Sequence, residues 1–192
     1  MANKVQKQKP KRECTKTYAK YTSFKPYIRE DFNKRCGYCD DLDVYHGGVR
    51  GYQIDHFKPH SIPKFSHLKE AYINLIYSCP FCNRAKSNKW EDIDGFIDPC
   101  EEEYDNHLER NSKGQIIAIS TRGLYIYKNL NLFLKRHELL WLIEKIVKQK
   151  KQLIAYKEHL ENTHPRYIEI IEKYIECDKR LIEYTNSFYS EI

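Results

Sequence analysis

The chain has 192 residues, 41% of them hydrophobic, and 33 Lys and Arg against 27 Asp and Glu, for a formal net charge of +6 and a pI of about 8.8. That is enough for one sizeable domain or a small one with an appendage, with a mild bias towards polyanions. No apolar run follows the first basic residues and none approaches about 18–20 residues, which argues against a secretory signal and a membrane span.

Residues 1–20 carry seven basic side chains (Lys4, Lys7, Lys9, Lys11, Arg12, Lys16, Lys20) and one acid, Glu13. So basic a segment is expected to be a flexible arm, either contacting phosphates or acting as a solubilising tail. Residues 21–35 suggest a short helix entering at Pro26, with Tyr27, Ile28 and Phe32 on one face. It leads into Cys36-Gly-Tyr-Cys39 and an acidic patch at Asp40, Asp41 and Asp43. A hairpin is then expected, with Val44 and Tyr45 in one arm, a turn at His46-Gly47-Gly48, and Tyr52 to Phe57 in the other.

Pro59 and Pro63 make residues 58–72 a loop, with a helical turn near 66–72. Residues 73–78 suggest a buried strand and 82–89 a short helix. After the acidic stretch from Phe96, the sequence NSKGQ marks a hairpin turn. From Leu124 the pattern becomes helical, and a long amphipathic helix places Leu132, Leu139, Leu142, Ile143, Ile146, Leu153 and Tyr156 on its apolar side. Pro165 opens a second helix with Ile168, Ile171, Ile175, Leu181 and Ile182 together. This predicts three parts: the arm 1–20, a catalytic-type domain with a hairpin extension over 21–123, and a helical hairpin over 124–192. The two helices either cover the open face of the domain or form a docking platform for another subunit.

The cysteine tetrad Cys36, Cys39, Cys79 and Cys82 is the strongest chemical signal. Zinc favours four soft ligands in a tetrahedron, and two Cys-x-x-Cys turns each offer two sulfurs. A redox dithiol needs only one pair, and the thioredoxin-like context is absent. Seven cysteines with no secretory signal also favour metal thiolates in a reducing cytoplasm over disulfides. Cys14 and Cys177 are most simply unpaired thiols. With four sulfurs the zinc has no open position, so it staples the fold and the chemistry lies elsewhere.

Asp55-His56 sits between the cysteine pairs. Phosphodiester hydrolysis needs a base for water, a role that neutral imidazole suits, and a hard cation for the charge on the phosphate. Asp55 is placed to hold that cation while His56 faces the water. Asn83, tethered by Cys82, is a second oxygen ligand, and Asn74 is placed to lock the loop that orients His56. Lys86 and Arg84 either neutralise substrate phosphate or line a solvated helix face. His60 is either a phosphate or leaving-group contact or a loop histidine without a role. Asp98, Cys100 and His107 are either a further metal cluster or part of an irregular acidic segment.

These motifs together, from Cys36 to Lys89, resemble the HNH endonucleases, whose core is a ββα-metal fold with a four-cysteine zinc site. The resemblance implies an α+β fold, with the zinc-stapled ββα-metal core followed by a two-helix C-terminal extension. It implies that His56 is the general base, Asp55 and Asn83 hold Mg²⁺ or Mn²⁺, and Asn74 orients the loop. Asn rather than His at the third position suits a harder ion than zinc. The substrate implied is nucleic acid, double-stranded DNA first. More loosely, the layout is similar to small HNH effectors encoded beside an ATPase in bacterial anti-phage systems, such as the Septu nuclease, which implies an ATPase partner at the C-terminal helices. The rival expectation is a non-catalytic, zinc-stapled nucleic-acid-binding or adaptor subunit.

Overall fold

Two four-residue strands hold the centre of the chain in a computed structural model, which describes residues 4–101, 103–161 and 163–190. Strand β1 (Gln53–His56) runs antiparallel to β2 (Leu75–Ser78), with Ile54 opposite Tyr77 and His56 opposite Leu75. All four β2 residues are buried, so this strand is the floor of the core. Helix α1 (Lys25–Asp31), entered through Pro26, lays Ile28 against it. Phe32 packs so close that a Cβ on Gly37 would lie 2.7 Å from the Phe32 ring and 2.9 Å from Ile76, and glycine there lets the first cysteine turn sit flat on the core. Helix α2 (Pro80–Lys86) follows β2 directly, with Pro80 in its first turn and the Cys79 sulfur accepting from Cys82 N–H as its cap. Strand, strand and helix thus close a mixed α+β unit around the four cysteines.

The chain diverges from the sequence expectation in four places, each for a physical reason. Val44 and Tyr45 do not pair with the strand after Tyr52. Asp43–His46 and Gly48–Arg50 are instead consecutive 3-10 turns, with Gly47 and Gly48 at φ +82° and +68°. Arg29 and the Tyr77 hydroxyl both bind the Asp43 carboxylate, at 2.6 and 2.9 Å, and pin this segment down.

Secondly, the N-terminal segment from residue 4 lies along the core instead of standing free as an arm. Val5 is buried, the Gln6 amide donates to Gly37 O (2.7 Å), and the Arg12 Nε donates to Leu75 O (3.1 Å). Its cations face the acidic segment 98–105: Lys4 pairs with Asp105, Lys9 with Glu103, and Arg12 with Asp98. Local composition showed the excess positive charge, but not the distant acids that pair with three of its cations.

Thirdly, the expected long helix is broken. Strands β3 (Leu108–Arg110) and β4 (Ile116–Ala118) form the hairpin anticipated around NSKGQ, and helix α3 (Thr121–Asn129) follows. Asn131 then takes φ +54° and ends that run. Helix α3 belongs to the first unit, where Gly123 passes so near His107 O that a Cβ would clash at 2.0 Å. The division into compact units falls between Leu134 and Lys135, rather than near residue 124.

The second unit is a hairpin of α4 (Lys135–Lys157) and α5 (Arg166–Ser190). Arg136 lies over the Phe188 ring, Lys150 over Tyr174 and Lys157 over Tyr167, so the helices run antiparallel. Here lies the fourth divergence. The packed residues of α5 are Ile170 and Cys177, whereas Ile168, Ile175 and Ile182 are 68, 49 and 61% exposed. The buried seam, through Ile170 and Cys177, runs two positions past the row of Ile168 and Ile175, with Tyr174 under Lys150 beside it.

Candidate active site and metal centre

Cys36, Cys39, Cys79 and Cys82 converge: all are buried and their sulfurs lie within 4.8 Å of one another. Cys39 Sγ and Cys79 Sγ are 3.8 Å apart. Four sulfurs at about 2.3 Å from one zinc stand about 3.8 Å apart in a tetrahedron, so the cluster fits that ion. Burial pushes the Cys39 and Cys79 thiols up, whereas the neighbouring sulfurs hold buried Cys36 well below the usual thiol range. Backbone bonds hold the turns: Cys36 N–H to Asp41 O, Asp40 N–H to Cys36 O and Gly37 N–H to Tyr77 O. From the β3–β4 hairpin, the fully buried Arg110 donates to Cys39 O (3.0 Å) and Gly114 O (2.6 Å).

Asp55 and His56 are the last two residues of β1, and consecutive strand residues face opposite sides. Asp55 turns inward. It accepts from the Tyr38 hydroxyl at 2.5 Å and from Lys86 Nζ at 3.0 Å. Burial raises its carboxyl, with Lys86 and Tyr38 opposing. His56 turns to the loop. Its Nε2 lies 2.8 Å from Lys69 O, and because a carbonyl only accepts, Nε2 carries the proton and Nδ1 keeps its lone pair. Burial lowers the His56 pKa and favours the neutral ring. Tyr21 packs edge-on to the imidazole at 4.6 Å, and His60 stacks on it at 4.3 Å and 13°.

Asn74 clasps the ends of the loop. Its Oδ1 accepts from Lys58 N–H (2.8 Å), and its Nδ2 donates to Lys58 O (3.0 Å) and Leu68 O (3.4 Å). Asn83, on α2, donates its amide to Gln53 Oε1 at 2.5 Å, which leaves the amide oxygen as its ligating atom. Asp55, His56, His60 and Asn83 line one open cleft of about 280 Å³. Asp55 and Asn83 thus both bring oxygen atoms to the lining of that cleft. Each carboxylate oxygen has two lone pairs, so the bonds from Tyr38 and Lys86 leave Asp55 able to ligate.

Two expected phosphate contacts separate here. Arg84 is exposed on α2. Lys86 is fully buried and turns inward to Asp55 and to His56 O (2.8 Å), so it does not reach a phosphate in the cleft. Spacing carried this signal: Lys86 is one helical turn past Cys82, whose sulfur is buried, so both share the inner face. The roles of Tyr38 and Arg110 left no comparable trace. Asp98, Cys100 and His107 form no cluster among the described residues; Asp98 is taken by Arg12 and His107 by Ser120. Replacing Lys86 with Met strands a buried carboxylate, a cost of about 3–5 kcal/mol. Urea titration is expected to show that loss, with most of it recovered in Lys86→Met/Asp55→Asn.

Comparison with known proteins follows this geometry. Residues 36–89 match the family model of the HNH endonucleases. A Septu protein PtuB of Bacillus mycoides (strain KBAB4) is 26% identical over 123 residues, 49% of this chain and 40% of that protein. The match therefore spans about two-fifths of the relative's length. No solved structure gives a significant match. The stretch that gathers the four cysteines and the Asp55–His56 cleft, residues 36–89, is thus the part of the chain that matches the HNH endonuclease family.

Proposed function

We propose that the protein is a metal-dependent endonuclease that hydrolyses phosphodiester bonds in double-stranded DNA. The observation that supports this best is the state of His56: its Nε2–H is spent on Lys69 O, and its neutral ring shares a cleft with Asp55 and Asn83. In this reading Nδ1 takes the proton of the attacking water. Lys69 O fixes the ring, and Asn74 fixes the loop that carries Lys69. Asp55 and Asn83 would hold Mg²⁺ or Mn²⁺, which when bound supplies electrostatic stabilisation of the charge on the phosphate and leaving oxygen. Lys86 and Tyr38 orient the Asp55 carboxylate from behind. The cysteines would hold structural zinc, and exposed Arg84 would meet the nucleic-acid backbone.

We also place the chain as the effector subunit of a bacterial anti-phage complex in the cytoplasm, with an ATPase on its C-terminal helices. The PtuB match supports the setting. The row Ile168, Ile175, Ile182 and Tyr189 on α5, exposed at heptad spacing, supports the docking. Among the described residues no helix is long and apolar enough to cross a membrane.

The tie between Lys86 and Asp55 favours one rival, a zinc-stapled module that binds nucleic acid without cutting it, because an internal cation already serves that carboxylate. A plasmid assay separates the two. Conversion of supercoiled DNA is expected with Mg²⁺ or Mn²⁺ and none with EDTA, while retained DNA binding with no product under any metal supports the rival.

A further inference from the structure

His60 lies four residues past His56, where Pro59 restricts the backbone and Ile62 N–H closes a turn on Pro59 O at 3.0 Å. Its ring is half-buried, stacked on His56 at 4.3 Å and 13°, and on the wall of the same cleft. Neither ring nitrogen has a hydrogen-bond partner among the described residues. The two histidines therefore differ in kind. His56 has one nitrogen committed to Lys69 O, which leaves the other as an acceptor on a ring that lines the cleft. His60 keeps its nitrogens for whatever the cleft holds.

Reach favours the scissile phosphate as that occupant. A water on His56 Nδ1 sits about 2.8 Å from it, and the phosphorus attacked lies about 3–3.5 Å beyond. With the phosphorus on the His60 side of the His56 ring plane, its non-bridging oxygens come within hydrogen-bonding reach of a parallel ring 4.3 Å from His56. An imidazole carries an N–H whether neutral or protonated, so it can donate in either state. The non-bridging oxygens gain charge as the water adds, and a donor aimed there is worth most in the transition state.

We infer that His60 is a further catalytic residue of this site, one that donates its N–H to a non-bridging oxygen of the scissile phosphate. The inference rests on the endonuclease reading above. It also gives the cation-poor wall of the cleft a substrate contact in place of Lys86, which faces inward.

The alternative role for His60 is to brace His56 by stacking, and two substitutions separate these. His60→Phe keeps an aromatic ring against His56 and removes the donor. His60→Gln removes the ring and keeps an N–H donor. Single-turnover cleavage of plasmid DNA in Mn²⁺ is measured for wild type and both variants, with circular dichroism and zinc content checked for each. The donor role predicts that His60→Phe slows cleavage on the order of a hundredfold and that His60→Gln stays within about tenfold of wild type. The reverse order, unchanged rates in both, or equal loss in both with fold and zinc retained overturns the inference. A wild-type protein that cuts nothing overturns the endonuclease reading and this inference together, whereas a cutting wild type with unaffected variants overturns only the role of His60.

Discussion

Cys79→Ser is expected to leave the first unit without zinc and without its cooperative thermal transition. The sulfur of Cys79 has two functions at once: it stands 3.8 Å from Cys39 Sγ within the tetrad, and it accepts the Cys82 N–H that starts α2. A structural zinc contributes about 10–16 kcal/mol of apparent folding free energy, against a total stability of about 5–15 kcal/mol for a domain. Loss of one thiolate of four therefore removes more than the fold can spare. The consequence reaches the cleft, because Asn83 is the next residue after Cys82 and β2 supplies the partner of β1. Calorimetry and metal analysis on the purified variant check this. A folded, zinc-free Cys79→Ser protein with the wild-type melting temperature would show that the tetrad does not staple the fold.

The centre of this site was legible because its information is local. Cys-x-x-Cys, Asp-His and Cys-Asn each place their chemistry within a few residues, and the strand and helix between them follow from an apolar run and a proline. What the sequence hid depends on distant pairs. Tyr38 meets Asp55 across 17 residues, Arg110 meets Cys39 across 71, and Val5 meets Asp105 across 100. An excess of lysine and arginine in residues 1–20 looks free until the acids of 98–105 are brought beside it. The offset on α5 has a similar cause. Periodicity identifies which residues share a face but does not choose between two adjacent apolar rows, and contact with α4 selected the row of Ile170 and Cys177 over that of Ile168 and Ile175.

The two units thus differ in what their sequences specify. In the first, polar and metal-type side chains are committed: Asn74 to the loop backbone, Lys86 to Asp55, the cysteines to one another. In the second, α5 satisfies one apolar seam and leaves a second exposed beside Glu169, Glu176 and Glu183. On the reading proposed above, the chemistry belongs to the first unit and the docking to the second.

His56→Ala is expected to abolish DNA cleavage while leaving fold and zinc content intact. The substitution removes one hydrogen bond, to Lys69 O, and the ring packing against Tyr21 and His60. Together these cost about 1–3 kcal/mol, too little to unfold a unit whose floor is β2 and whose staple is the cysteine cluster. General-base catalysis is worth about 10²–10⁴ in rate, so the variant falls to the background of a slow assay. The removed ring leaves space in an open cleft of about 280 Å³. Free imidazole added at millimolar concentration is therefore expected to restore part of the activity of His56→Ala and to leave wild type unchanged. A structural role for the ring predicts no such rescue, since a diffusing imidazole cannot re-tie the chain at Lys69. Cleavage by His56→Ala at the wild-type rate, without imidazole, would remove His56 as the base and leave Asp55 and Asn83 as a metal site that needs a different proton acceptor.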